Sequence, residues 1–170
     1  PAALQDGPKW VCRIVPDHTP RSREGHRSAA SAAEILGRLK PASVVLTDPV
    51  PRAGGCPARP ATDGAGRCRA YAHLGANRIL EMVGMPGVGP WLDEHDTWWP
   101  GAYELPLLEQ LAANESPLRD LLGATAPAHL LMSLTEVDGT ALVTESDDGI
   151  ERPFRIPAGV DTIHFAPLCI

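Results

Sequence analysis

Apolar and polar positions along the chain divide it into a strand, a helix and a strand within its first part. Lys9-Trp-Val-Cys-Arg-Ile-Val15 predicts a first strand, stopped by Pro16 and followed by a loop from Asp17 to Pro20. Arg21–Leu39 predicts a helix whose apolar positions are Ala29, Ala30, Ala33, Ile35, Leu36 and Leu39, with Pro41 ending it. Ala42-Ser-Val-Val-Leu-Thr47 is a compact apolar run of the kind that forms a strand buried on both faces. This order is that of a βαβ unit, whose two strands run parallel with a right-handed crossover.

The rest of the pattern is less regular. Residues 48–67 read as a long loop dense in Pro, Gly and Arg, and a loop of that length inside a compact domain is often functional. Arg69–Val83 predicts a second helix. Gly84–Gly101 is an irregular stretch holding Trp91, Trp98 and Trp99. Helices are predicted over Leu105–Ala113 and Pro117–Leu122, the latter with Ser116 as its N-cap. His129–Leu134 and Thr140–Thr144 predict strands, Thr162–Ala166 a last one, and Glu151–Ile156 fits more than one reading. The expectation is a single α/β domain over residues 1–170, a three-layer sandwich with a mostly parallel central sheet.

Composition narrows the function classes. The chain has 170 residues, 44% hydrophobic and 21% charged, ordinary values for a globular protein able to bury a core without staples. No apolar run approaches the ~18 residues of a membrane span, and Pro1–Trp10 has no basic region leading into an apolar one. No membrane partner and a cytoplasmic location are expected. Residues 1–80 carry 12 Lys/Arg and 6 Asp/Glu, while residues 81–170 carry 3 and 15, giving the overall charge of −6. That balance argues against nucleic acid as a partner. The basic half either holds an anion or neutralises the acidic half in the fold. Cys12, Cys56, Cys68 and Cys169 form no CxxC pair, so no zinc ribbon or thioredoxin-like motif is supported. Cys56 and Cys68 flank the Gly/Pro-rich loop and are able to pair in an oxidising compartment; free thiols are the expectation without an export signal.

Two turns after predicted strands are candidate chemistry. Pro16-Asp17-His18-Thr19-Pro20-Arg21-Ser22-Arg23 places a histidine and two arginines where ligands collect in open α/β sheets. His18 has the chemistry of a nucleophile or acid/base, and Arg21 and Arg23 that of a phosphate clamp; a solvated turn is the competing reading. Thr47-Asp48-Pro49-Val50-Pro51-Arg52-Ala53 places Arg52 at the same crevice if the two strands are neighbours.

Taken in order, these segments resemble the histidine phosphatase (phosphoglycerate-mutase-like) superfamily. Its members end the first strand with Arg-His-Gly and follow the second with a pattern like Ser-Ser-Pro-Leu-x-Arg-Ala, which Thr47–Ala53 resembles, with Arg52 at the phosphate-binding arginine. Leu80-Glu81-Met-Val-Gly84 is similar to the Leu-x-Glu segment that often carries the proton donor. Gly139–Ile150 is similar to the strand that carries the second histidine, and Ile156–Pro167 to the closing strand. The departures are specific. No arginine precedes His18, and Glu145 or Ser146 stands where the second histidine is expected, so a carboxylate faces the anion. The resemblance implies a divergent member that binds a phosphorylated or otherwise anionic small molecule, with hydrolysis left open. In that site His18 is the nucleophile, Glu81 the acid and Glu145 the altered second-histidine position, while Arg21, Arg23 and Arg52 bind phosphate.

Other constellations are weaker. Asp93-Glu94-His95-Asp96, with His73 or Glu81, lacks a metal-ligand spacing and reads better as a solvated acidic loop, so no metal and no cofactor are expected. Trp91, Trp98 and Trp99 support the alternative of a non-enzymatic interaction domain contacting a protein partner through residues 90–101.

Overall fold

Every strand pairing in the main sheet is antiparallel. The computed structural model describes residues 3–17, 29–47, 49–50, 55–85, 97–98, 104–123, 127–145 and 148–170. Strand β1 (Lys9–Pro16) is central. On one side follow β4 (Leu80–Gly84), β3 (Ala70–Gly75) and β2 (Gly55–Ala58). On the other lies β6 (Ala128–Thr135), whose outer edge is shared by β9 (Thr162–His164) and β10 (Leu168–Cys169). A separate three-stranded sheet joins β5 (Thr97–Trp98), β7 (Ala141–Glu145) and β8 (Glu151–Arg155), and only its β5–β7 pair is parallel. The expected three-layer sandwich with a mostly parallel sheet is therefore corrected to an antiparallel sheet with helices packed on it.

The sheet follows from period-two patterning. Trp10, Cys12 and Ile14 of β1, Leu130, Met132 and Leu134 of β6, Ala70 and Ala72 of β3, and Leu80 and Met82 of β4 point to one face and are buried. Three described helices, α1 (Ala29–Arg38), α2 (Glu104–Ala113) and α3 (Glu115–Leu122), supply Leu36, Leu107, Leu111, Leu118 and Leu122 to the same core. The alternate positions, among them Arg13, Tyr71, His73, Glu81, His129 and Ser133, lie on the opposite face.

Two sequence expectations fail for identifiable reasons. Arg69–Val83, expected as a helix, is the β3–β4 hairpin. Its turn is closed by the Gly75 amide on the Ile79 carbonyl at 2.9 Å and by Asn77 Oδ1 accepting the Ile79 N–H. A glycine and an asparagine in mid-segment favour a turn over a continuous helix. Ala42–Thr47, expected as a parallel strand, begins as one 3-10 turn over Pro41–Ser43, with Ala42 and Ser43 at φ of 47° and 61°. Only Thr47 bridges, to Arg59 and in the antiparallel sense. No parallel neighbour of β1 results, and the βαβ unit is absent among the described residues.

Other elements differ less. The two later helices stand where expected, but Asn114 rather than Ser116 occupies the α3 N-cap, and its side-chain amide donates to the Gln110 carbonyl of α2. Gly123 ends α3 in the left-handed conformation. Glu151–Arg155 resolves as a strand. Within the expected loop 48–67, β2 forms. All four cysteines are free, so Cys56 and Cys68 do not pair. No helix among the described residues is long and apolar enough to cross a membrane.

Candidate functional site

The expected phosphate cradle needed two parallel strand ends side by side. The neighbours of β1 are β4 and β6, both antiparallel, so that crevice is not built by the described strands. His18, Arg21, Arg23 and Arg52 lie outside the described residues, as do Trp91, Trp99 and Asp93–Asp96. Trp98 lies in β5, paired with Leu142. Glu145 ends β7 opposite Glu151, in the small sheet, whereas Glu81 lies in the large one.

Glu81 is the hub of a polar cluster on the sheet face opposite the helices. The Arg13 Nε donates to Glu81 Oε2 at 2.7 Å, and the Tyr71 hydroxyl donates to Oε1 at 2.5 Å. Burial pushes the Glu81 carboxyl up, but the Tyr71 and Arg13 hydrogen bonds and the Arg13 charge outweigh it and hold the group below its ordinary value. Burial first, and then the Glu81 carboxylate, push the Tyr71 hydroxyl up. Both groups thus keep their ordinary neutral-pH states: Glu81 is ionised and holds no proton to donate, and Tyr71 stays a hydrogen-bond donor. The cluster ties three strands together.

Glu136 behaves similarly. It accepts from the Lys9 ammonium, which is buried, and from the Gly7 N–H at 2.9 Å, and the Lys9 bond is the main reason that its carboxyl is held low. Carboxyls with folded values below their unfolded ones stabilise the fold above the unfolded pKa of about 4.3, and that stabilisation is lost as pH falls through the folded values. Glu81→Gln is expected to cost about 1–2 kcal/mol at neutral pH. As pH falls through the lowered folded value and the wild-type carboxyl is itself protonated, the cost should shrink towards zero. Urea midpoints of both proteins measured across that range check this; a cost independent of pH would contradict it.

The opposite face holds a cavity of ≈ 340 Å³ between α2, α3 and one end of the sheet. Leu108, Leu111 and Ala112 of α2 and Leu118 and Leu122 of α3 form its walls. Ile14 of β1 and Ala128 of β6 lie at its base, and Ile170, just beyond β10, adds a side. The helices arrange this by spacing: Leu118, Leu121 and Leu122 share one face of α3, and Leu107, Leu108 and Leu111 share one of α2. Alanines at 112 and 128 leave space that larger side chains would fill.

Among the described residues, the polar ones lining this cavity are Glu115 and Arg119, one turn apart on α3 and joined by Arg119 Nε donating to Glu115 Oε1 at 3.0 Å. Both are exposed, which places the pair at the rim. The terminal Nη groups of Arg119 have no hydrogen-bond partner among the described residues. The rim therefore offers planar, charged donors above an apolar chamber.

Sequence reasoning singled out Glu81 but not the cavity. The apolar stripes of α2 and α3 were legible, while their convergence with Ile14, Ala128 and Ile170 has no local signature. Among the described residues no group of three or more His, Cys, Asp or Glu side chains is placed to hold a metal ion. No protein-family model matches the chain, nor does any curated protein or solved structure.

Proposed function

We propose that this chain binds a small amphipathic molecule, an apolar body carrying a carboxylate or similar anionic acceptor, in the cavity beneath α2 and α3. The observation that carries the reading is an apolar chamber of ≈ 340 Å³ with an arginine at its rim whose terminal donors are unused by described residues. That volume falls in the range of small-molecule sites, ~300–1,000 Å³, which are typically apolar with a few oriented polar groups. Among the described residues the lining is apolar except for the Glu115–Arg119 pair, the composition of a binding chamber. Four free thiols accord with a reducing compartment such as the cytoplasm.

Calorimetric titration with octanoate and octanol tests the reading. Both are expected to bind with a negative heat-capacity change, the signature of apolar burial. Arg119→Met should weaken octanoate about 5- to 10-fold, the value of a half-exposed charged hydrogen bond, and leave octanol within about 2-fold. Ala112→Trp, which fills the chamber from an exposed helix position, should abolish both. A folded Ala112→Trp protein that binds octanoate as tightly as wild type would overturn the proposal.

A further inference from the structure

The rim of the cavity carries two opposite charges, and that pairing restricts the ligand further than a lone arginine would. Glu115 and Arg119 both line the space, and their side chains are 64% and 50% exposed. Their hydrogen bond, Arg119 Nε to Glu115 Oε1 at 3.0 Å, uses one atom of each charged group. Glu115 Oε2 and the Arg119 Nη atoms have no partner among the described residues. A free acceptor and a set of free donors therefore stand side by side at the mouth. Leu118 and Leu122, one turn apart on the same helix, continue the wall below them towards Ile14 and Ala128 at the base.

A ligand that brings only an anion meets this rim at a disadvantage. Its carboxylate accepts from the Arg119 Nη atoms but comes to rest beside the Glu115 carboxylate, and like charges repel. A ligand with an ammonium next to its carboxylate satisfies both residues. The ammonium donates to Glu115 Oε2 while the carboxylate accepts from Arg119, each through a charge-assisted hydrogen bond. The head group of an α-amino acid is such an arrangement. Both its charged groups are bonded to one carbon, and its side chain is left free to enter the apolar chamber.

Building on the binding reading of this cavity, we propose that its ligand is a zwitterion of that class, an α-amino acid with a long apolar side chain. Glu115 selects the ammonium, and Arg119 holds the carboxylate.

Calorimetric titration of the full chain at neutral pH and low salt tests this with four eight-carbon probes: octanol, octanoate, 2-aminooctanoate and 8-aminooctanoate. 2-Aminooctanoate is expected to bind about 5-fold more tightly than octanoate, the upper end for an exposed charge pair. Its isomer 8-aminooctanoate carries the same two charges, but one of them would have to enter apolar surroundings. It should bind about 10-fold more weakly than 2-aminooctanoate. Glu115→Gln changes an exposed side chain and leaves the chamber intact, so octanol should stay within about 2-fold. In that variant octanoate should bind at least as tightly as 2-aminooctanoate, a reversal of the wild-type order. Wild-type protein that takes octanol but binds 2-aminooctanoate no better than octanoate, or no better than the 8-amino isomer, overturns the proposal and leaves the chamber standing. So does a Glu115→Gln protein that takes octanol normally and keeps the wild-type preference. A wild-type chain that takes none of the four probes overturns the chamber as well. Loss of octanol binding in Glu115→Gln reports damage to the chamber, and the wild-type order of the probes then decides.

Discussion

Gly84→Ala is expected to destabilise the fold by about 3 kcal/mol, at the upper end of the cost of overpacking. A Cβ on Gly84 would lie 2.6 Å from the Cβ of Ala42, 2.8 Å from the carbonyl carbon of Pro41 and 2.9 Å from the amide nitrogen of Ala42. Two of these three atoms are backbone, so no rotamer change relieves the overlap. The segment that would have to retreat already holds Ala42 and Ser43 at positive φ, and Pro41 beside them is buried. Gly37→Ala is the matched control: it adds a methyl in α1 where nothing lies within 4 Å, and removing a helical glycine should be neutral or stabilising by up to about 1 kcal/mol. Urea denaturation with an unchanged m-value measures both. A Gly84→Ala protein within about 0.5 kcal/mol of wild type would show that the 3-10 turn is not clamped against β4.

That clamp also explains why the sequence misleads between Ala42 and Thr47. Val44, Val45 and Leu46 have strand character, but the chain enters them from a turn pressed on the end of β4 and meets no sheet edge beside β1. The alternation of Trp10, Cys12 and Ile14 and of Leu130, Met132 and Leu134 is legible, as are the stripes of α2 and α3. Strand direction is not, because parallel and antiparallel strands share the same period; the connections decide it. The short turn at Gly75–Ile79 forces β3 and β4 antiparallel, yet Ala70–Leu74 and Leu80–Val83 are rich in good helix formers, which hid the period. Glu81 is visible as a carboxylate in an apolar stretch, but its meaning lies in Arg13 and Tyr71 on adjacent strands.

Leu122→Ala should join stability and binding in one experiment. Leu122 is 3% exposed, belongs to the core and lines the cavity, so its truncation removes buried apolar atoms and enlarges a space that the structure already leaves open. Leucine-to-alanine changes in cores cost about 2–5 kcal/mol, more where the surroundings cannot collapse. The α2–α3 pair is joined tightly at Asn114, and the base of the cavity is the sheet itself, so little collapse is available; about 3 kcal/mol is expected. An enlarged apolar cavity stays dry and accepts an apolar guest. Octanol at about 100 times its dissociation constant would then return about 2.7 kcal/mol to the variant, nearly offsetting the loss. Chemical denaturation with and without octanol reads both quantities. Loss of stability without recovery would mean that Leu122 packs a closed core and that the space beside it is not a binding chamber. Leu36→Ala, whose side chain is buried in the core but does not line the cavity, should keep the wild-type gain with octanol, whereas Ala112→Trp, which fills the chamber, should show none; that contrast would locate the guest where the geometry puts it.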